Sequence, residues 1–131
     1  NAYSTINNKG LSIKPSILES IELNNGQILW ENEPKTNKII SQVITRKLNK
    51  MLKKSVSEGN GIAASIKNEE IYGKTGTSDR NRDLWFIGSI RDKTTGVWIG
   101  YDDNRKTELS SGNAARVWKK YTENIMNIKN N

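Results

Sequence analysis

The chain has 131 residues, a mass of 14.8 kDa and a hydrophobic content of 34%, which allows one compact domain or a piece of a larger one and excludes two. Its 21 Lys and Arg against 14 Asp and Glu give a net charge of +7 and a pI near 9.7, so an anionic partner has to be weighed. With no Cys and no His, disulfides, thiol nucleophiles, thiolate or imidazole metal sites and a Ser-His-Asp triad are excluded, and no stretch approaches the roughly 20 apolar residues of a membrane span or forms a signal peptide.

In chain order, Ala2 to Ile6 followed by Asn7-Asn8-Lys9-Gly10 reads as the last turn of a helix closed by residues that tolerate left-handed backbone angles. The body of that helix is expected upstream of Asn1. Because Asn1 is not Met, the chain reads as a processed product or a fragment. Ile13 to Leu23 and Gln27 to Trp30 are β-prone, and Asn24-Asn25-Gly26 between them signals a hairpin. Residues 31–38 are polar, and Pro34 is expected to break any regular element there. Ser41 is placed to cap a helix whose apolar positions Val43, Ile44, Leu48, Met51, Leu52 and Val56 follow the 3.6-residue period, and Glu58-Gly59-Asn60-Gly61 ends it.

Three strand-like runs follow: Ile71 to Ser78, Leu84 to Ile90 and, after a turn over 91–96, Val97 to Tyr101. They are expected to pair as a meander. A last helix from Gly112 to Ile125 carries Ala114, Ala115, Val117, Trp118, Tyr121 and Ile125 as its apolar stripe, and the Asn- and Lys-rich tail beyond it is expected to fray. There is no internal repeat and no second domain. The pattern predicts an α+β fold, an antiparallel sheet built from a hairpin and a three-strand meander with flanking helices.

Chemistry concentrates in Ile71-Tyr72-Gly73-Lys74-Thr75-Gly76-Thr77-Ser78. The Lys74 ammonium supplies a point charge for a carboxylate, the hydroxyls of Thr75 and Thr77 can donate to its oxygens, and Gly76 permits close backbone approach. The Thr77 N–H is a candidate oxyanion donor. Strict alternation sends Lys74 and Gly76 to one face and Thr75 and Thr77 to the other, so a ligand meeting both has to run along the strand edge as an added strand.

Lys74-Thr75-Gly76-Thr77-Ser78, then Arg82-Asp83-Leu84-Trp85-Phe86-Ile87-Gly88, then Gly96-Val97-Trp98-Ile99-Gly100-Tyr101-Asp102-Asp103 resembles the C-terminal part of the transpeptidase domain of class A, bifunctional penicillin-binding proteins. The start, Ala2 to Gly10 with Ile13-Lys14-Pro15, and Gly59 to Ala64 resemble the same family. The resemblance covers nearly the whole of 1–131. It implies the fold shared by penicillin-binding proteins and serine β-lactamases. It also implies an enzyme that acylates an active-site serine with a peptidoglycan stem peptide, passes the acyl group to an amine of a neighbouring stem, and is trapped by β-lactams. A glycosyltransferase domain elsewhere and an N-terminal anchor are implied for the parent, at the outer face of the cytoplasmic membrane in the bacterial cell envelope.

Of the three signatures in that family, Ser-x-x-Lys, Ser-x-Asn and Lys-Thr-Gly, only the third carries over, onto Lys74, Thr75 and Gly76, with Thr77 as the implied oxyanion and carboxylate contact. No serine is followed at the third position by Lys. Ser111-Gly112-Asn113 has the letters of Ser-x-Asn but lies after the Lys-Thr-Gly strand and is read as coincidence. No catalytic nucleophile is therefore placed in this chain. Loss of a nucleophile costs a covalent catalyst about a million-fold, so the fragment is expected to be inert without its missing N-terminal half.

The remaining candidates read mainly as structure. Trp85 and Phe86, as strand neighbours, have to face opposite ways, one of them into the core. Trp98 is expected in the core, and Arg80 or Arg82 is expected to pair with Asp83. Asp102-Asp103 is not expected to bind a metal, and no cofactor is expected. From Lys35 to Ser57 there are seven basic residues (Lys35, Lys38, Arg46, Lys47, Lys50, Lys53 and Lys54) and no acid. Two alternative readings stand beside the main one: a serine β-lactamase fragment, against which the Trp-Phe and Trp-x-Gly-Tyr-Asp-Asp runs argue, and a basic module for an anionic polymer. No nucleic-acid partner is expected.

Overall fold

A computed structural model of the chain describes residues 1–127, and of the tail beyond Ile125 that is expected to fray, residues 128–131 lie outside them. The first helix, α1 (Ala2–Asn7), has six residues, too few to persist without tertiary support. It ends where Lys9 and then Gly10 take positive φ angles of 56° and 92°. The Gly10 carbonyl accepts the N–H groups of Ile39 and Ile40 at 2.9 and 3.3 Å, and a β-carbon on Gly10 would lie 1.9 Å from the Ile40 carbonyl oxygen. Only glycine fits this crossing.

β1 (Leu11–Ile13) pairs antiparallel with β4 (Thr36–Lys38), and β2 (Ser20–Glu22) with β3 (Ile28–Glu31) around the Asn24-Asn25-Gly26 turn. The hairpin is where the Asn-Gly signal placed it. Two expectations fail beside it. Ile13 to Leu23 is not one segment, because residues 14–19 form no strand. Residues 31–38 do contain a regular element, since β1 supplies Thr36–Lys38 with a long-range partner that no local pattern announces.

α2 (Gln42–Ser57) is capped by Ser41, whose Oγ accepts the Ile44 N–H at 3.4 Å. Its inward row is Thr45, Leu48, Leu52 and Val56, with Thr45 and Val56 buried. Val43, Ile44 and Met51 stay 62%, 51% and 69% exposed. The apolar stripe is thus wider than the contact the helix makes.

The main sheet has the order β5-β6-β7, from β5 (Ile71–Thr77), β6 (Asp83–Ile90) and β7 (Lys93–Gly100), all antiparallel. Lys74 is opposite Ile87, Gly76 opposite Trp85, and Trp85 opposite Trp98. β7 starts at Lys93, not Val97: Arg91 at φ 51° closes a tight turn with Asp92, and Thr94 to Gly96 join the ladder.

α3 (Ser111–Ile125) begins at a reciprocal cap in which the Ser110 N–H donates to Asn113 Oδ1 at 3.1 Å. That explains Ser111-Gly112-Asn113 as a helix start. α3 lies on the face of the sheet that carries Leu84, Phe86 and Ile90 and buries Ala114, Ala115, Trp118 and Thr122. Val117, Tyr121 and Ile125, expected inside, are 49%, 48% and 42% exposed because the contact row runs along 114, 115, 118 and 122. The Phe86 and Trp118 rings meet edge to face at 5.3 Å, and Trp118 Nε1 donates to the Thr95 carbonyl at 3.1 Å.

Phe86→Ala is expected to lower stability by about 3–5 kcal/mol in urea denaturation. Gly10→Ala, which meets both a left-handed backbone and a carbonyl, should cost more than about 1 kcal/mol. Unchanged midpoints would contradict the packing described.

Candidate active site

β5 lies at one edge of the sheet, as the alternation argument requires. The Ser78 N–H donates to the Asp83 carbonyl at 3.0 Å, toward β6. By the period of two, Gly76 and Lys74 also turn their main-chain groups to β6, and Thr75 and Thr77 turn theirs to the open edge. The Lys74 side chain bends over that edge, with Nζ 3.0 Å from the Thr75 carbonyl oxygen and 3.5 Å from Thr75 Oγ1. Lys74 and Thr77 are exposed, Thr75 and Gly76 half-buried. One accessible ridge therefore presents an ammonium, two hydroxyl-bearing residues and two outward N–H groups. It can take an extended chain with a carboxylate beside the ammonium.

Next to Gly76 stands Trp85, whose Cβ would be 3.2 Å from a β-carbon at position 76. Trp85 is 43% exposed on the face opposite Phe86, which is fully buried. The two neighbours do point opposite ways. Trp98, expected in the core, is 40% exposed instead. Its register opposite Trp85 sets the two rings 6.5 Å apart, and its Nε1 donates to Asp83 Oδ1 at 3.0 Å.

That carboxylate is the second departure. Asp83 forms no ion pair with Arg80 or Arg82 among the described residues: its Oδ2 accepts from the Ser78 hydroxyl at 2.9 Å, and its N–H donates to Ser78 Oγ at 2.8 Å. The loop between β5 and β6 is held at both ends. At its crest Arg80 and Asn81 take φ angles of 59° and 52°, a conformation that Asn tolerates and that is disfavoured for Arg. The Asn81 carbonyl is gripped there by the N–H and Oγ1 of buried Thr107, at 3.0 and 2.9 Å. Asp103 has a local task, accepting the Arg105 N–H at 3.2 Å. No cluster of three or more metal-ligating side chains occurs among the described residues.

Sequence reasoning missed a polar cluster at the start of β5. Glu70 accepts from Lys53 of α2 and from the Tyr72 hydroxyl, the latter at 2.8 Å. The bond from Lys53, then that from Tyr72, holds the Glu70 carboxyl below its ordinary value. Partial burial, then the bond to Glu70, pushes the Tyr72 phenol up. Lys53 and Glu70 are 17 residues apart, so no helical or strand spacing links them.

Two measurements check this geometry. Because the folded state favours ionised Glu70 and neutral Tyr72, their small contributions to stability should hold at neutral pH. The first should fade as pH falls through the depressed Glu70 value, the second as pH rises through the elevated Tyr72 value. Carbon-detected NMR should find Glu70 titrating below an ordinary glutamate and returning toward it in Lys53→Gln. Asp83→Ala, which takes the acceptor from the Trp98 N–H and the Ser78 hydroxyl at a solvent-accessible site, should cost about 0.5–1.5 kcal/mol and shift Trp fluorescence.

With the fold and edge in place, similarities to known proteins can be read. The family model for the penicillin binding protein transpeptidase domain matches residues 1–126. The chain is 34% identical over 122 residues to penicillin-binding protein 1B of Vibrio cholerae and 36% identical over 123 residues to penicillin-binding protein 1A of Aquifex aeolicus. These matches take in 91% and 92% of this chain but 16% and 17% of the relatives, so it spans about one sixth of their length. Among solved structures, penicillin-binding protein 1A from Haemophilus influenzae aligns with a TM-score of 0.80 at 24% identity, over 98% of this chain and 26% of that one. Penicillin-binding protein A from M. tuberculosis, in its imipenem acyl-enzyme complex, aligns at 0.74 and 18%, over 91% and 28%. At these identities the structural likeness is one of fold. The match over residues 1–126, joined to sequence identities above 30% across nine-tenths of the chain, shows that it belongs to the penicillin-binding-protein transpeptidase family.

Proposed function

We propose that residues 1–131 are the C-terminal part of the transpeptidase domain of a bifunctional murein synthase and supply the Lys-Thr-Gly wall of its cleft. The observation that carries this is the open edge of β5, where Lys74 Nζ curls over the Thr75 carbonyl while Thr75 and Thr77 face outward. A stem peptide would add to that edge as an extended strand. Lys74, with the hydroxyls of Thr75 and Thr77, holds its terminal carboxylate. Gly76 lets the peptide approach closely, and the Thr77 N–H points at the carbonyl oxygen that gains charge when a serine attacks.

That serine, with its lysine, belongs to the part of the domain outside this chain, which has no Ser-x-x-Lys. The acyl-serine passes its acyl group to an amine of a neighbouring stem, cross-linking the wall. β-Lactams enter by the same route, a reading supported by the imipenem acyl-enzyme of the M. tuberculosis relative in fold. The parent works at the outer face of the cytoplasmic membrane in the cell envelope, carrying a glycosyltransferase domain and an anchor. No described helix here is long and apolar enough to cross a membrane.

Fluorescent penicillin separates these roles. The 131-residue chain should give no covalent band, and the chain extended by its upstream coding sequence should label. In that longer protein Lys74→Ala should slow acylation about 10²–10³-fold, the usual effect of removing one charge-stabilising donor. A stable adduct on the short chain, or full-rate labelling of the Lys74→Ala protein, would overturn the assignment.

A further inference from the structure

Residues 11–38 form an arm, with β1 and β4 paired at its base and β2 and β3 at its tip. Every residue from Ile21 to Glu31 is exposed, and β2 and β3 pack chiefly on each other. The tip is nonetheless apolar on both sides: Ile17, Ile21, Ile28, Leu29 and Trp30 are 102%, 46%, 53%, 57% and 43% exposed. An isolated two-stranded ribbon is marginal in water, and an exposed apolar patch of this kind marks an interaction surface.

Charge narrows the partner. Between residues 15 and 34 there are four acids, Glu19, Glu22, Glu31 and Glu33, and no Lys or Arg. None of the four is ion-paired within the described residues. The next segment inverts this, with seven basic residues and no acid over 35–57. On α2, Val43, Lys47, Lys50 and Met51 share one outward face by their i, i+4 and i+3 spacing. Val43 and Met51 are exposed there, and Lys47 and Lys50 lack acidic partners among the described residues. An acidic apolar ribbon and a basic apolar helix face thus occur in the same chain, each without a partner.

The dimensions agree. α2, with 16 residues, is about 24 Å long at 1.5 Å per residue. β3, with four residues, is about 13 Å long at 3.3 Å per residue, close to the roughly 12 Å between Val43 and Met51 along that helix. Arm and helix leave the body at neighbouring points, since β4 ends at Lys38 and Ser41 starts α2. Each arm set on the other copy's helix makes a two-fold arrangement. The contact is isologous and closes on itself.

We propose that two copies of this chain associate by exchanging arms, the β2–β3 ribbon of each lying on the Val43–Lys47–Met51 face of the other's α2. Apolar burial holds the pair, and the segregated charges set its register and its sensitivity to salt.

Sedimentation equilibrium on the 131-residue chain, over the micromolar range and at low and high salt, tests this. The wild-type chain should form a dimer that weakens with added salt. Two double variants, Glu22→Lys with Glu31→Lys, and Lys47→Glu with Lys50→Glu, should each self-associate at least about tenfold more weakly. An equimolar mixture should dimerise again, because both arms then meet helices of opposite charge. All four positions are exposed. Should a reversal lose its circular-dichroism spectrum, Lys47→Gln with Lys50→Gln replaces it with the same expected direction. A chain that stays monomeric, a dimer indifferent to both reversals, or a mixture that does not re-form would each overturn the arm exchange.

Discussion

The seating of Phe86 is the constraint on which the rest depends. Its ring lies edge-on to Trp118 of α3, and the backbone around it has been cleared of side chains. A β-carbon on Gly73 would lie 2.5 Å from its Cζ, and one on Gly88 2.6 Å from its Cε1. These glycines leave space for one ring, which fixes how closely β5, β6 and α3 approach. Gly73 immediately precedes Lys74, so the close packing that builds the core also fixes the strand presenting the cation.

From that seat the strand's period of two divides the labour. Leu84, Phe86 and Ile90 serve the core, while Trp85 and Trp98 form an open aromatic surface on the other side. The edge of β5 belongs to neither face. There the outward main chain of Thr75 and Thr77 and the curled Lys74 side chain meet, and an added extended strand can reach all of them without displacing a buried group. Asp83 and Thr107 tie the following loop at its ends and crest, and the left-handed conformation of Arg80 persists because those bonds surround it.

The chain corresponds to about one sixth of the relatives it matches, and its small core agrees with that. A transpeptidase needs its nucleophile and its substrate wall on different elements, held against each other. On the proposed function, this chain contributes the wall, built on a sheet. In the arm and α2 the acids gather at one end of a continuous segment and the cations at the other.

Patterns that depend on near neighbours were legible in the sequence: the Asn24-Asn25-Gly26 hairpin, the Ser41 cap, the three-strand meander and the Lys-Thr-Gly strand with its edge requirement all follow from spacings of two to four residues. The sequence also determined, through its missing Ser-x-x-Lys, that this chain holds no serine nucleophile of that kind. Tertiary structure alone decided what lies far apart in the chain. It paired Thr36–Lys38 with β1, chose the Thr45–Val56 row of α2 over Val43 and Met51, turned Trp98 outward to Asp83, and brought Lys53 to Glu70. The physical reason is common to these cases. Amphipathic periodicity tells which residues can be buried together, but burial and hydrogen bonding need a partner, and that partner is set by how helices and sheet stack around Phe86.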